Sequence, residues 1–184
     1  MSTMNRLSMT LVSGFSLVLV VTHPPAAAQS LEPQMQETQA APGYRSDSAA
    51  SARLWQEGDP GHRLHLRGRV TSTAGSPVSG AGITMWQADG GGNYHEQRYQ
   101  AQIFTRDNGE FRLTTAVPGQ YYGLMHIHVM ISHPDYQPLS TQILFRGDPS
   151  LMAEDEELAI LLEEVRNEKG KAMVGSVEFV LEPL

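Results

Sequence analysis

Two histidines separated by a single residue, His126 and His128, are the side chains of this sequence best suited to chemistry. They lie in a run of β-branched residues that is typical of a strand, in which successive side chains point to opposite faces. Ile127 and Val129 would then face the core, and the two imidazoles would project together from the other face. Two adjacent imidazoles resist both being charged but suit a bound metal ion. The alternative is a pair of solvent-facing histidines on an edge strand.

Two turns that carry tyrosines precede this strand. Pro118-Gly119-Gln120 leads to Tyr121 and Tyr122, and Gly90-Gly91-Gly92-Asn93 leads to Tyr94. The chain has no cysteine, so a transition metal would be held by imidazole, carboxylate or phenolate groups. Taken alone, each tyrosine is more simply explained as a packing residue at the edge of a sheet.

Short β-rich runs separated by glycine, asparagine, aspartate and proline indicate an all-β protein. Asp107-Asn108-Gly109 predicts a tight hairpin, because asparagine and glycine accept positive φ angles. Seven runs are long enough to form strands, which suggests an antiparallel β-sandwich. The predicted strands are 64–71, 83–89, 102–106, 110–115, 125–132, 139–145 and 173–181.

One C-terminal helix is predicted before the last strand, at residues 154–166. Apolar residues recur there at helical spacing, as in Leu158, Leu161 and Leu162. Acidic residues concentrate in its first turn, where they favour the positive end of the helix dipole. Lys169-Gly170 would then end the helix.

Length and charge narrow the classes of function. The 184 residues predict one folded domain, and 13 basic against 20 acidic side chains give a formal net charge of −7. The sequence contains no cluster of lysine and arginine. Binding to nucleic acid depends on such contacts with phosphates, so this class is excluded.

Residues 1–28 have the features of an export signal. Arg6 is followed by a mostly apolar run from Leu7 to Val21, and Ala26-Ala27-Ala28 forms a small-residue cleavage site. Cleavage there predicts an exported chain, periplasmic or secreted, that starts at Gln29. The apolar run is shorter than the ~20 residues of a spanning helix, so no stable membrane span is expected after cleavage. An uncleaved membrane anchor is the alternative.

The segment that follows the predicted signal differs in composition from the rest of the chain. Residues 29–53 are rich in glutamine, alanine, serine, proline and glutamate and lack apolar periodicity. They are predicted to form a disordered arm, and residues 54–184 to form the folded domain.

The order of the motifs along the chain is informative. They are EGDPG at 57–61, LRGRV at 66–70, GSPVSGA at 75–81, WQAD at 86–89, GNY at 92–94, DNGEFRL at 107–113, PGQY at 118–121, HIHV at 126–129 and TQILFRGDP at 141–149. Together they resemble the intradiol ring-cleavage dioxygenases, the family of catechol and protocatechuate 3,4-dioxygenases. The glycine turns are common in β domains, whereas the tyrosines and the HIH motif in this order are specific.

The resemblance implies a cofactor and a reaction. Tyr94, Tyr121, His126 and His128 correspond to the four ligands of Fe(III) in the family, and two phenolates favour ferric over ferrous iron. In the family the ferric ion binds the catechol dianion and makes it reactive towards O2. The tyrosine after the PG turn leaves the metal and acts on the substrate's proton, a catalytic role that falls to Tyr121. The ring then opens between its hydroxyl-bearing carbons to give a cis,cis-muconate type of diacid.

Two positions leave alternatives open. Gly123 stands where the family has an arginine credited with stabilising the substrate anion, and Arg98 or Arg106 would have to replace it from a neighbouring strand. Tyr122 adjoins Tyr121, so the second tyrosine ligand is ambiguous by one residue.

The expected partners are a small aromatic diol and O2. The resemblance also predicts that the β-sandwich is prealbumin-like. The alternative is a non-catalytic prealbumin-like binding module, which would share the glycine and PG turns. Such a module has no reason to place two histidines and two tyrosines in this way. The sequence leaves open the oligomeric state and the particular catechol-type substrate.

Overall fold

The computed structural model describes residues 50–167 and 170–184, and these contain nine strands. All seven strands predicted from the sequence are among them. The strands are β1 (Ser51–Arg53), β2 (Arg63–Ser72), β3 (Gly82–Gln87), β4 (Gln100–Phe104), β5 (Glu110–Ala116), β6 (His126–His133), β7 (Tyr136–Leu144), β8 (Glu163–Asn167) and β9 (Gly170–Leu181). Strands β2 and β5 alternate between buried and more exposed side chains, as expected where one face covers a core.

The strands form two sheets, with the orders β1-β5-β2-β9-β8 and β4-β3-β6-β7. Every pair in the second sheet is antiparallel. In the first sheet, β1 pairs with β5 and β2 pairs with β9 in parallel. The prediction of a purely antiparallel architecture is therefore wrong for that sheet. Hairpin turns identify antiparallel neighbours along the chain, but β2 and β9 are far apart in the sequence and no turn connects them.

Both sheets contribute to one hydrophobic core. Leu66, Phe111 and Phe179 of the first sheet share a buried cluster with Ile83 and Ile127 of the second. The rings of Phe111 and Phe179 stack with centroids 6.2 Å apart. A shared core of this kind is expected when two sheets pack face to face. The prealbumin-like identity of the sandwich stays a prediction.

The predicted helix at residues 154–166 is wrong. Residues 153–158 form successive turns, and the segment ends in strand β8, which pairs with β9. Ile160 joins the core and donates its backbone N–H to the carbonyl of Leu144 at 2.9 Å. Leu158 and Leu162 pack against the core, whereas Leu161 is exposed, so the apolar spacing does not mark one face of a helix. Pairing with β9 satisfies the backbone of β8 and outweighs a weak helical propensity.

The first sheet begins slightly earlier than predicted. Ser51–Arg53, placed by the sequence at the end of the disordered arm, pair with β5. The predicted signal peptide and residues 29–49 of the arm lie outside the described residues. Within 50–167 and 170–184, no helix has the length and apolar character needed to cross a membrane.

Candidate metal centre

Strand β6 holds His126 and His128 on the face opposite to the core. Ile127 and Val129 are fully buried, which confirms the alternation predicted from the sequence. The Nε2 atoms of the two histidines lie 3.0 Å apart. Their rings are nearly perpendicular, at 88°, with centroids 4.5 Å apart. Two imidazole nitrogens therefore converge on one point beside the sheet.

A backbone contact fixes which nitrogen of His126 is free to bind an ion. Its Nδ1 atom lies 3.0 Å from the carbonyl oxygen of Leu124. A carbonyl can only accept a hydrogen bond, so Nδ1–H of His126 donates and Nε2 carries the lone pair. A histidine ligand is commonly oriented in this way by a partner at its other nitrogen.

Trp86 of β3 orients the second histidine. It pairs with His128 across the sheet, and the two rings stack with centroids 4.8 Å apart and an interplanar angle of 9°. Burial, and to a smaller extent the charge of His126, lowers the pKa of His128 to about 4. The imidazole is therefore neutral at ordinary pH, and the neutral form is the one that binds metals.

Tyr94 and Tyr121 face each other beside the histidines. Their rings meet edge to face with centroids 4.5 Å apart. The ring of Tyr94 also lies 6.4 Å from the ring of His128. The structure thus brings together all four residues that the resemblance assigns as ligands, although they come from three separate segments of the chain.

Close backbone packing brings the two tyrosine-bearing loops together. At Gly119 an added methyl carbon would lie 2.8 Å from the carbonyl carbon of Gly91 and 2.9 Å from the carbonyl oxygen of Gly90. Gly92 has a φ of +84°, and a methyl carbon there would collide with the carbonyl oxygen of Gln120. Glycine is therefore required on both sides of this contact, because any larger residue would push the loops apart.

Asp89 organises the loop that leads to Tyr94. Its carboxylate accepts the backbone N–H groups of Gly91 at 2.8 Å and Asn93 at 3.0 Å, and it also bonds Nε2 of His95 at 2.7 Å. Burial alone would raise the pKa of Asp89, but these hydrogen bonds hold it below its usual value. The ionised carboxylate therefore fixes the backbone immediately before Tyr94.

Asp148 connects both ends of the segment that carries Tyr121. One carboxylate oxygen accepts the backbone N–H of Met125 at 2.6 Å, and the other accepts the side-chain amide of Gln120 at 3.2 Å and the backbone N–H of Ser150 at 3.0 Å. Burial alone would raise its pKa, but these bonds keep the pKa of Asp148 lowered. Asp148 therefore sets the distance between the tyrosine turn and the histidine strand.

The spacing of the two histidine nitrogens fits a bound metal ion. Two nitrogens that each lie about 2.1 Å from one ion at a right angle are about 3 Å apart, close to the 3.0 Å separation of His126 and His128. Among the described residues, no three histidine, aspartate or glutamate side chains converge as a metal-binding group. The side chains that adjoin the histidine pair are instead the phenols of Tyr94 and Tyr121. Two phenolates with two imidazoles form a donor set that suits Fe(III).

The structure favours Tyr121 over Tyr122 as the second tyrosine. Tyr121 contacts Tyr94, whereas the side chain of Tyr122 is 81% exposed and lies on the outer side of Tyr121. The order of the three rings is Tyr94, Tyr121, Tyr122, from the centre towards solvent.

Arg98 and Arg106, the two possible substitutes for the family arginine that Gly123 replaces, flank opposite ends of β4. Strand β4 pairs with Trp86 at its start and with Gly82 at its end, roughly 13 Å further along the strand. Arg98 precedes the start, beside the cluster, and Arg106 follows the far end. Arg106 is therefore too distant to replace the missing arginine.

Arg98 is already engaged in an ion pair. Its Nη2 atom donates to both carboxylate oxygens of Asp59, at 2.8 and 3.0 Å. It also borders a small cavity of about 50 Å³ together with Trp86 and Tyr94. The side chain is thus close to the site, but Asp59 largely compensates its charge.

Among the described residues, the other four histidines do not join the cluster. His62 is exposed, His65 bonds the hydroxyl of Thr114 at 3.1 Å, and His133 accepts the backbone N–H of Asp135 at 3.2 Å. The Nε2 atom of His95 bonds the carboxylate of Asp89 at 2.7 Å, so this nitrogen is already engaged.

Three residues with a positioning role were not identified from the sequence. Asp89 could have been recognised, because aspartate before a glycine-rich turn commonly accepts backbone N–H groups. Trp86 and Asp148 could not, since their contacts depend on strand register and on a loop beyond β7. Asp148 is also the aspartate of an Arg-Gly-Asp tripeptide, a sequence that can act as an adhesion motif when it is exposed. Here the aspartate is buried and binds backbone and side-chain N–H groups of its own chain.

Comparison with known proteins identifies similar chains. A family model described as "Dioxygenase" matches residues 40–125. A catechol 1,2-dioxygenase of Candida albicans is 30% identical over 152 residues, which covers 65% of this chain and 50% of that protein. A chlorocatechol 1,2-dioxygenase of Rhodococcus opacus is 31% identical over 121 residues, covering 50% and 47%. The chain thus spans about half the length of the curated relatives it matches.

Among solved structures, the dioxygenase domain of a dioxygenase–carbohydrate-binding protein fusion from Streptomyces sp. SirexAA-E matches 81% of this chain and 96% of that domain. The two are 31% identical, with a TM-score of 0.59. A 3-chlorocatechol 1,2-dioxygenase from Rhodococcus opacus shares the fold with a TM-score of 0.63 at 24% identity. That match covers 72% of this chain and 65% of the other.

Proposed function

The chain belongs to the intradiol ring-cleavage dioxygenase family, and from this premise we propose that it opens the ring of a catechol-type substrate with O2. The cleaved bond is the one between the two hydroxyl-bearing carbons. The observation that carries the proposal is the cluster of two histidines and two tyrosines, in which the Nε2 atoms of His126 and His128 lie 3.0 Å apart and the ring of Tyr94 contacts those of His128 and Tyr121.

In this proposal Tyr94, Tyr121, His126 and His128 hold Fe(III). A ferric ion held there would act as a Lewis acid towards the catechol oxygens and would make the substrate reactive towards O2. His126 and His128 are neutral donors, and the two tyrosines supply negative charge as phenolates. Because the charge of the two phenolates offsets that of the ion, the site can hold a trivalent cation beside a partly buried sheet.

Tyr121 is the proposed catalytic base. The family resemblance assigns this role to the tyrosine after the PG turn, and Tyr121 adjoins the exposed Tyr122 on the side of the cluster that is nearer to solvent. In the proposal its phenolate oxygen accepts a proton from a substrate hydroxyl. In the overall reaction the bond between the hydroxylated carbons breaks. Each of the two new carboxyl groups then contains one substrate oxygen and one oxygen atom from O2.

The second candidate is a non-catalytic prealbumin-like module that binds aromatic compounds. Oxygen uptake separates the two functions. The Fe(III)-loaded protein mixed with catechol is expected to consume one molecule of O2 for each ring opened. A binding module would retain catechol without consuming O2, and that result would favour the second candidate. The same assay with substituted catechols and hydroxyquinols would identify the preferred substrate.

Tyr94→Phe is expected to weaken or shift the visible absorption of the Fe(III)-loaded protein. Phenolate bound to ferric iron absorbs in the visible by charge transfer, and the substitution removes the oxygen but keeps the ring. Packing against Tyr121 and His128 should survive, because those contacts are made by the ring. The measurement is a visible spectrum at equal iron content.

Tyr122→Phe is the matched control for that spectrum. It removes the hydroxyl of the adjacent tyrosine, whose side chain is 81% exposed. A spectrum that changed with Tyr122→Phe but not with Tyr121→Phe would assign the second phenolate to Tyr122 and contradict the ligand set.

We also propose that residues 1–28 direct export and that the mature chain starts at Gln29. The basis is the apolar run followed by the Ala26-Ala27-Ala28 site. N-terminal sequencing of exported protein tests this, and a retained Met1 would contradict it.

A further inference from the structure

The turn that follows Tyr121 contains a residue in an unfavourable backbone conformation. Tyr121 and Leu124 form two backbone hydrogen bonds, of 3.2 and 3.3 Å, around Tyr122 and Gly123. The φ angles of these two central residues are +50° and +89°. Positive φ at both central positions is the mark of a type I′ turn, which favours asparagine, aspartate or glycine at the first of them. A tyrosine with positive φ is strained.

Packing does not explain why tyrosine occupies this position. The side chain of Tyr122 is 81% exposed, so the ring buries little apolar surface that could offset the strain. Its ring instead lies edge to face with that of Tyr121, with centroids 4.5 Å apart. Tyr121 is in turn 4.5 Å from Tyr94. A strained, exposed aromatic side chain thus stands directly outside the proposed catalytic base.

The chemistry of this position favours an aromatic group as its ligand. The face of an exposed tyrosine ring binds another ring by offset or edge-to-face stacking. Tyr122 lies between Tyr121 and solvent, so a second ring attached to a catechol beside Tyr121 would meet it where the substrate extends towards solvent. An anionic substituent is less favoured than an aromatic one, because it would need a cation as its partner. Arg98 borders the cavity beside Tyr94, but it is already paired with Asp59.

We propose that Tyr122 determines specificity by stacking against a second aromatic ring, so that the site prefers aryl-substituted catechols over catechol itself. The inference rests on the proposed function, since it requires a catechol ring at the metal centre. It assigns to Tyr122 a contact with the distal ring of the substrate and no part in ring opening.

The test is a binding titration without oxygen. The full-length Fe(III)-loaded protein is titrated with catechol and with 4-phenylcatechol, and the dissociation constants are read from the change in visible absorption. Wild-type protein is expected to bind 4-phenylcatechol more tightly than catechol. Tyr122→Asn should reduce that preference by about 3- to 10-fold, the range expected for loss of one aromatic pair. Asparagine suits the turn, so thermal stability should be equal or higher.

Tyr122→Phe is the conservative variant, and it should retain the preference because the ring remains. Two results would overturn the stacking role: an unchanged preference in Tyr122→Asn, or a loss in Tyr122→Phe as large as that in Tyr122→Asn. A wild-type protein that binds 4-phenylcatechol no more tightly than catechol would also overturn it. Failure of the wild-type protein to bind either compound is a distinct result, and it would contradict the proposed function itself.

Discussion

Replacing His126 or His128 with alanine is expected to abolish retention of Fe(III), with a fall in affinity of more than about 100-fold. Loss of a residue that merely orients a ligand already lowers metal affinity by about 10- to 100-fold, and loss of a ligand should cost more. Either substitution also leaves the remaining imidazole without the partner nitrogen 3.0 Å away. The measurement is iron content after reconstitution and gel filtration, together with a thermal melt to show that the variant is folded.

His133→Ala is the matched control for these two substitutions. His133 belongs to the same strand, but its Nδ1 atom accepts the backbone N–H of Asp135, and it lies at the far end of β6. This variant should retain iron at the wild-type level. Wild-type iron content in both His126→Ala and His128→Ala would place the metal elsewhere and refute the proposed ligand set.

Gly119→Ala is expected to disrupt the centre without touching any ligand. The added methyl carbon would lie 2.8 Å from the carbonyl carbon of Gly91, which is closer than carbon atoms approach in proteins. The loop before Tyr121 must then move away from the loop before Tyr94. Overpacking of this kind costs about 1–3 kcal/mol of unfolding free energy. We expect weaker iron binding and a shifted charge-transfer band, measured by urea unfolding and by visible spectroscopy.

Gly82→Ala provides the comparison for Gly119→Ala. A methyl carbon at Gly82 would meet atoms of Phe104 and Ser132 at 3.4 Å, which is an ordinary contact. Gly82 lies at the end of β3 that is far from Trp86, and therefore far from the histidine pair. This variant should keep the wild-type spectrum. If Gly119→Ala kept it as well, the close packing of the two loops would not be what positions the tyrosines.

Local patterns in the sequence predicted most of the strands and the face on which the histidines lie. Alternation of Ile127, His128 and Val129 is a property of any strand with one buried face, so it could be read directly. The parallel pairing of β2 with β9 could not be predicted, because it depends on contacts between distant segments. The helix predicted at 154–166 was wrong for the same reason, since the end of that segment pairs with β9 as strand β8.

The arrangement of the candidate site was only partly accessible from sequence. The four proposed ligands followed from the resemblance, while the contact between the two tyrosine loops depends on glycines at 119 and 92 that allow two backbones to touch. The role of Asp148 depends on a loop that returns from the end of β7 to Met125 and Gln120. The sequence could not exclude Arg106 as a substitute for the missing arginine. The antiparallel pairing of β3 and β4 excludes it, because Arg106 follows the end of β4 that is far from Trp86.

The position of ring cleavage tests the central claim most directly. The Fe(III)-loaded protein is incubated with catechol and O2, and the product is identified by mass spectrometry and nuclear magnetic resonance. Binding of both substrate oxygens at one centre built from Tyr94, Tyr121, His126 and His128 predicts cis,cis-muconate, formed by cleavage between the two hydroxylated carbons. A yellow product that carries an aldehyde, formed by cleavage beside the hydroxylated carbons, would contradict the account.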